Sequence, residues 1–253
     1  MRKPITALSF ALRFALSLVG AAMLALAALN AAGQAGTPQS VVLPLDSLER
    51  LETVNTKAEV VTYRGKKALH LAPPQNPNMQ SGAMPDMQRG SMLALVSGTD
   101  FKDGTIEAEV AGVPITSMDE TARGFVGIVF RAQNHGARGE NIYIRPTNGR
   151  AEDQLRRNHS VQYESIPEFP WHRLQRKEAP GVYESYVDLE AGPWTKMKIE
   201  VAGTKARLYV NGAEQPCLIV NDLKLGDVRG QVALWAFIAT NAYFSNLKVT
   251  PTN

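Results

Sequence analysis

Apolar and polar residues alternate along most of this chain. Ile106, Ala108 and Val110 would share one face of an extended segment, while Glu107 and Glu109 would lie on the other. A period of two predicts a half-buried β-strand. The same pattern predicts strands near 125–131, 141–145, 160–163, 182–189, 195–202, 205–210, 230–237 and 242–249.

Turn residues separate these segments. Gly104 follows Asp103, Gly203 lies between two apolar stretches, and Gly212 follows Asn211. Gly and Asn accept the positive φ angles that tight turns require. Many short strands joined by tight turns predict an all-β domain in which two antiparallel sheets pack face to face.

The first 35 residues have the order of regions found in a secretory signal peptide. Two basic residues, Arg2 and Lys3, precede an apolar run over 14–29, and small residues lead to Ala35. The pattern predicts cleavage there, leaving 36–253 as a single β-sandwich domain in the periplasm or outside a bacterial cell. Because the run is close to the ~20 residues of a spanning helix, an uncleaved anchor is the alternative.

The charge pattern argues against a nucleic-acid partner. The chain has 27 Lys and Arg against 24 Asp and Glu, a net charge of +3. The three excess basic residues, Arg2, Lys3 and Arg13, all lie in the signal segment, so the remaining chain is formally neutral. We therefore expect no nucleic-acid partner and no membrane contact beyond the signal segment.

The one cysteine, Cys217, permits no internal disulfide.

A stretch from 140 to 175 is rich in arginine, histidine, amide and aromatic side chains. Sugar rings stack on aromatic faces, while sugar hydroxyls bind planar donors such as guanidinium groups. If Ile142 and Ile144 point into the core, Tyr143 and Arg145 point outward, and similar alternation in 125–131 places Arg131 outward. A solvated face with surface ion pairs is the alternative interpretation. The predicted ligand-binding residues are Arg131, Tyr143, Arg145, His159 and Trp171.

Candidate catalytic groups are fewer. Glu107 and Glu109 lie two residues apart on one strand face, a spacing that could place two carboxylates over a bound sugar. They are more typical of exposed residues on an amphipathic strand. The histidines do not follow a metal-binding spacing. We therefore expect no cofactor, and a structural Ca²⁺ stays open.

Five segments resemble the concanavalin A-like and laminin G-like group of jelly-roll domains. Residues 97–107 resemble its F-x-D-G-x-I-E strand entry, and 124–131 resemble its G-I-x-F-R strand. Residues 194–212 resemble the hairpin W-x-x-x-K-I-x-V…A-x-L-Y-V-N-G, and 230–235 with 242–249 resemble the closing strands G-x-V-A-L-W…Y-F-S-N-L. The resemblance covers about 93–249 and extends to the domain of bacterial 3-keto-disaccharide hydrolases. It implies a two-sheet antiparallel jelly-roll sandwich.

Three functions follow as hypotheses. The first is an exported protein that recognises a saccharide ligand. The second is a glycoside hydrolase acting on (3-keto-)disaccharides or oligosaccharides, with Glu107 or Glu109 as acid or base. The third is a protein-interaction module without catalysis. The saccharide, its linkage and the oligomeric state are left open by the sequence.

Overall fold

The computed structural model describes residues 39–74, 90–175 and 180–252. The predicted signal peptide, 1–35, lies outside the described residues. Within them, fifteen β-strands form two antiparallel sheets, and three short helical turns lie between β8 and β10. The all-β, two-sheet sandwich predicted from the sequence is confirmed.

The strands are numbered in chain order. They are β1 (Val41–Leu43), β2 (Leu51–Val54), β3 (Lys57–Tyr63), β4 (Lys66–Ala72), β5 (Ser91–Val96), β6 (Gly104–Pro114), β7 (Val126–Gln133), β8 (Arg138–Ile144), β9 (Val161–Ile166), β10 (Glu184–Ser185), β11 (Thr195–Ala202), β12 (Lys205–Val210), β13 (Leu218–Val220), β14 (Gln231–Phe237) and β15 (Thr240–Pro251). The helical turns are a 3₁₀ turn (Pro146–Asn148), α1 (Gln154–Asn158) and α2 (Trp171–Arg173). No helix among the described residues is long and apolar enough to cross a membrane.

Each sheet combines strands from distant parts of the chain. In the described residues, the eight-stranded sheet has the order β13-β12-β11-β6-β15-β4-β3, with β1 also paired to β15. The seven-stranded sheet has the order β10-β9-β8-β7-β14-β5-β2. The chain crosses between the two layers several times, for example from β5 to β6 and from β14 to β15, as in a jelly roll.

The core lies between the sheets and follows the predicted alternation. Ile106, Ala108 and Val110 of β6 are buried in it, while Glu107 and Glu109 are half-buried on the outer side. Facing them from the other sheet are Ile128 of β7 and other inward residues of β5, β8 and β14. Burial of this continuous apolar cluster is the main stabilising term of the domain.

A second apolar cluster covers the outer face of the seven-stranded sheet. It contains Leu93, Tyr143 and Trp235, with Phe125 and Phe237 packed against it. The outer face of an antiparallel sheet is usually polar because water covers it. Leu93, Tyr143 and Trp235 are nearly fully buried, whereas Phe125 and Phe237 at the edge of the cluster are partly exposed. This edge of the sheet is therefore a candidate functional surface.

The structure corrects two predictions about the strands. Within 182–189 only Glu184–Ser185 pairs, at the sheet edge against β9. The outward position predicted for Arg131 is wrong, because this residue lies in an irregularity between β7 and β8, has φ of 53°, and is 0% exposed. A bulge breaks the simple alternation on which the prediction rested.

Arg131 instead links three loops at one end of the sandwich. Its Nε donates to Lys102 O at 3.0 Å, Nη1 to Gly226 O at 2.5 Å, and Nη2 to Gly203 O at 2.7 Å. Nη2 also contacts the Asp103 carboxylate at 3.2 Å. These bonds satisfy the buried guanidinium within the protein, so Arg131 is not part of the candidate site.

Candidate functional site

Four rings form an aromatic floor on the outer face of the seven-stranded sheet: Phe125, Tyr143, Trp235 and Phe237. The Tyr143 and Trp235 ring centres are 4.8 Å apart, and Phe125 lies 5.7 Å from Tyr143 and 5.6 Å from Phe237. Inward packing of Ile142 and Ile144 turns Tyr143 outward. These distances are typical of packed aromatic pairs, so the four rings form one continuous apolar cluster.

Gly127 allows the centre of this floor to form. It lies on β7 directly between Tyr143 on β8 and Trp235 on β14. A Cβ at this position would lie 2.4 Å from Ile142 O and 2.5 Å from Tyr143 Cβ. Only a residue without a side chain lets the two rings meet over the intervening strand.

The Arg145 guanidinium lies among three rings at the edge of the floor. Its Cζ is 5.2 Å from the ring centres of Phe125 and Tyr143, and 5.7 Å from that of Trp171. It donates to His159 O at 3.0 Å and to the Tyr143 hydroxyl at 3.1 Å. The residue is 6% exposed, so cation–π contacts and hydrogen bonds hold the charge in a defined position.

Glu164 lies buried beside the floor. Its Oε1 accepts from Asn141 Nδ2 at 3.0 Å, and its Oε2 accepts from the Trp171 backbone N–H at 3.1 Å. Burial raises the pKa of this carboxyl above its ordinary value, although Asn141, Trp171 and Arg145 oppose that shift. A carboxyl with a raised pKa is able to hold a proton nearer neutral pH.

His159 and Glu184 form a pair at the sheet edge. His159 Nδ1 lies 2.5 Å from Glu184 Oε2. Gln175 Nε2 also donates to Glu184 Oε2, at 3.1 Å. Only 6% of the Glu184 side chain is exposed. The contact with this buried carboxylate holds the His159 ring in place at the edge of the sheet.

Two cavities open above these residues. One, of about 250 Å³, lies over the floor and includes Asp119, Thr121 and Glu164 in its lining. The other, of about 400 Å³, is more open and extends to His159, Gln175 and residues of α1. Both are lined by Arg123, Phe125 and Trp171, so they form one continuous groove along the edge of the floor.

The structure brings together four of the five predicted ligand-binding residues. Tyr143, Arg145, His159 and Trp171 all line this groove, whereas Arg131 does not. Sequence reasoning missed the groove residues Arg123, Phe125, Glu164, Trp235 and Phe237. Strand alternation could have identified Trp235 and Phe237. Both are next to Ala236, which points into the core, so both point to the outer face of the sheet.

The candidate catalytic residues lie on the opposite face of the sandwich. Glu107 and Glu109 border a separate cavity of about 400 Å³ on the eight-stranded sheet. Glu109 Oε2 lies 2.7 Å from Lys66 Nζ and 2.5 Å from Asn246 Nδ2. Burial by itself would raise the pKa of Glu109, but the bonds to Lys66 and Asn246 lower it below its ordinary value. This carboxyl is therefore a poor proton donor.

Among the described residues, no group of three or more His, Cys, Asp or Glu side chains has an arrangement that could hold a metal ion. Burial raises the pKa of the Cys217 thiol to about 11, which disfavours the reactive thiolate.

Solved structures of known proteins share the fold of this chain. No protein-family model and no curated protein matches the chain in sequence. Among solved structures, the carbohydrate binding module CBM66 from Bacillus subtilis is 14% identical, with a TM-score of 0.51, over 79% of this chain and 96% of that one. The exoplasmic/lumenal domain of VIP36, in a Ca²⁺/Man3GlcNAc-bound form, is 9% identical, with a TM-score of 0.51, over 85% and 88%. The Crh5 transglycosylase in complex with NAG is 10% identical, with a TM-score of 0.50, over 86% of each chain.

At these identities the likeness establishes the fold alone. The concanavalin A-like jelly-roll sandwich expected from the sequence is confirmed.

Proposed function

We propose that this protein is an exported carbohydrate-recognition domain whose saccharide ligand binds in the groove on the outer face of the seven-stranded sheet. The observation that carries the proposal is the position of Arg145, held among Phe125, Tyr143 and Trp171 beside an open cavity. Half-buried Phe125 and Trp171 offer apolar surface to a sugar ring, and neighbouring polar groups offer hydrogen bonds to its hydroxyls.

The solved structures of similar fold support this proposal. One is named as a carbohydrate binding module, one has Man3GlcNAc bound, and one is a transglycosylase in complex with NAG. The fold is thus compatible with saccharide binding. The site itself is argued from the groove of this chain, because fold alone does not specify function.

Binding is tested with purified protein on a glycan array, followed by calorimetry on any saccharide retained. Phe125→Ala and Trp171→Ala should each weaken binding at least about tenfold through loss of ring contacts. Tyr209→Ala removes a half-buried ring from the opposite face and should leave affinity unchanged. If no saccharide binds, the protein-interaction module becomes the better hypothesis.

Export is part of the proposal and has its own test. When the full chain is expressed in a bacterium, the protein should be recovered from the periplasm or the medium with its N-terminus near Gly36. Recovery of the intact chain in the cytoplasm would contradict export. Recovery of the intact chain in the membrane fraction would favour the uncleaved anchor.

Glycoside hydrolysis is the second candidate, and Glu164 is the observation that favours it. A buried carboxyl with a raised pKa, lining the groove, has the property required of a general acid. If the groove is catalytic, Glu164→Gln should abolish formation of the hydrolysis product while retaining binding of the saccharide. Glu107→Gln and Glu109→Gln, on the other face, should then retain turnover.

A further inference from the structure

Three arginines from separate segments line the more open part of the groove. Arg123 precedes β7, Arg145 follows β8, and Arg156 belongs to α1. We call them the arginine cluster. Its members converge on one cavity only because the fold brings these segments together.

The cluster has little compensating negative charge. Among the described residues, no carboxylate oxygen lies within 4.0 Å of any of the three guanidinium groups. By contrast, Arg150 contacts Asp188 at 2.9 Å, and Arg229 contacts Asp100 at 2.8 Å. Isolated positive charge in a partly buried groove is costly unless a ligand supplies the opposite charge.

Neutral groups of the protein position the cluster. Arg156 Nε donates to Asn148 Oδ1 at 3.0 Å, and its Nη2 donates to Thr147 Oγ1 at 3.1 Å. Arg123 has a long contact, 3.5 Å, from Nη1 to Ala122 O. Arg145 donates to a carbonyl, a hydroxyl and an amide oxygen. These bonds orient the guanidinium groups without neutralising them.

Nearby carboxyl groups are engaged elsewhere. Asp153 also lines the cavity, but its Oδ1 accepts the Arg156 backbone N–H at 3.0 Å as a helix cap. Asp119 accepts the backbone N–H and the hydroxyl of Thr121, both at 2.7 Å. Burial, then repulsion by Arg156 and Arg145, lowers the pKa of Arg123, and attraction from Asp119 does not offset this. Around the more open cavity the three arginines outnumber the one lining carboxyl, Asp153, so the formal charge there is positive.

We propose that the groove selects an acidic saccharide, whose carboxylate or sulfate group binds Arg123 and Arg156 while its ring contacts Phe125 and Trp171. Guanidinium groups bind planar or tetrahedral oxyanions through paired N–H donors, which a neutral hydroxyl cannot match. This inference rests on the proposed saccharide function of the same groove and names the chemical class of its ligand.

The test measures the affinity of the full chain for matched probes by calorimetry. The acidic probes are oligogalacturonate, oligomannuronate and a sulfated galactan oligosaccharide, and each has a neutral counterpart prepared by carboxyl reduction or desulfation. An acidic probe should bind at least about tenfold more tightly than its counterpart, and added NaCl should weaken that preference. Preference for a uronate over the sulfated probe identifies the group as a carboxylate, and the reverse identifies a sulfate.

Variants assign the preference to the cluster. Arg123→Gln and Arg156→Gln should each reduce affinity for the acidic probe about tenfold and leave the neutral counterpart unaffected. Arg150→Gln removes an exposed arginine that is already paired with Asp188 and Glu190, and should change neither affinity.

The outcomes separate this inference from the proposed function. Equal binding of acidic and neutral probes, still sensitive to Trp171→Ala, would overturn the acidic ligand and keep saccharide recognition. An acidic preference that survives Arg123→Gln and Arg156→Gln would also overturn the role of the cluster. If no probe binds and the glycan array retains none, both proposals fail.

Discussion

The rings of Tyr143 and Trp235 pack 4.8 Å apart although a whole strand, β7, lies between their own strands. Gly127 occupies the intervening position, where a Cβ would lie only 2.5 Å from Tyr143 Cβ. The aromatic floor therefore depends on one residue that contributes no contact surface of its own.

Gly127→Ala should destabilise the domain by about 2 kcal/mol, because the new Cβ would overlap Ile142 O and the Tyr143 backbone in a packed sheet. Urea unfolding monitored by tryptophan fluorescence measures the loss. Gly212→Ala is the control, since a Cβ there meets nothing within 4 Å and carries only the cost of a positive φ, about 1 kcal/mol. Equal losses for the two variants would show that packing over β7 is not the cause.

Arg131→Met should reduce the free energy of unfolding by about 3 kcal/mol. The variant removes the Arg131 donors to Lys102 O, Gly203 O and Gly226 O and the ion pair with Asp103. Among the described residues, the Asp103 carboxylate then keeps only the Gly203 backbone N–H, and Gly226 O keeps only the Val228 N–H. Thermal and urea unfolding measure the change. Saccharide affinity should be unchanged in the fraction that stays folded, because this arginine does not line the groove. A selective loss of affinity at full stability would return Arg131 to the ligand site.

Glu164 should make stability depend on pH in a defined direction. Its pKa is raised in the folded state, so the folded protein holds the proton more tightly than the unfolded chain does. The contribution of Glu164 to the free energy of unfolding therefore falls as pH rises above about 4.3, the ordinary glutamate pKa. This stabilising contribution is fully lost above the pKa of Glu164 in the folded state.

Glu164→Gln cannot ionise, so its stability relative to the native protein should increase as pH rises through that window. Urea unfolding of both proteins from acid to neutral pH gives this difference directly. Comparing the pair cancels the opposite trend from Asp188 and Glu200, whose pKa values are lowered. A difference that is constant with pH would mean that the pKa of Glu164 is the same in the folded and unfolded states.

Arg145→Lys should weaken saccharide binding at least about tenfold while keeping the charge. The ammonium group lacks the planar fork that contacts the rings and donates to both His159 O and the Tyr143 hydroxyl. Calorimetry measures affinity, and a circular-dichroism melt checks that the fold is retained. Unchanged affinity would mean that a point charge suffices and that the geometry of the guanidinium is not used.

Much of the fold was predictable from local pattern. The alternation around Ile106 identified β6 and its buried face, and the turn at Gly203 identified the hairpin of β11 and β12. These features depend on residues close in sequence. The short pairing of β10 and the burial of Arg131 were not predictable, because both depend on which distant segment lies alongside.

The candidate site shows the same division. The sequence by itself determined that Tyr143 opposes Ile142 and Ile144, since strand alternation is local, and so it pointed to Tyr143 and Arg145 together. Only the tertiary structure decided that Arg123, Glu164 and Trp235 join them, and that Glu107 and Glu109 face the other way. The physical reason is that alternation specifies the two faces of each strand, whereas strand order and sheet packing decide which faces meet.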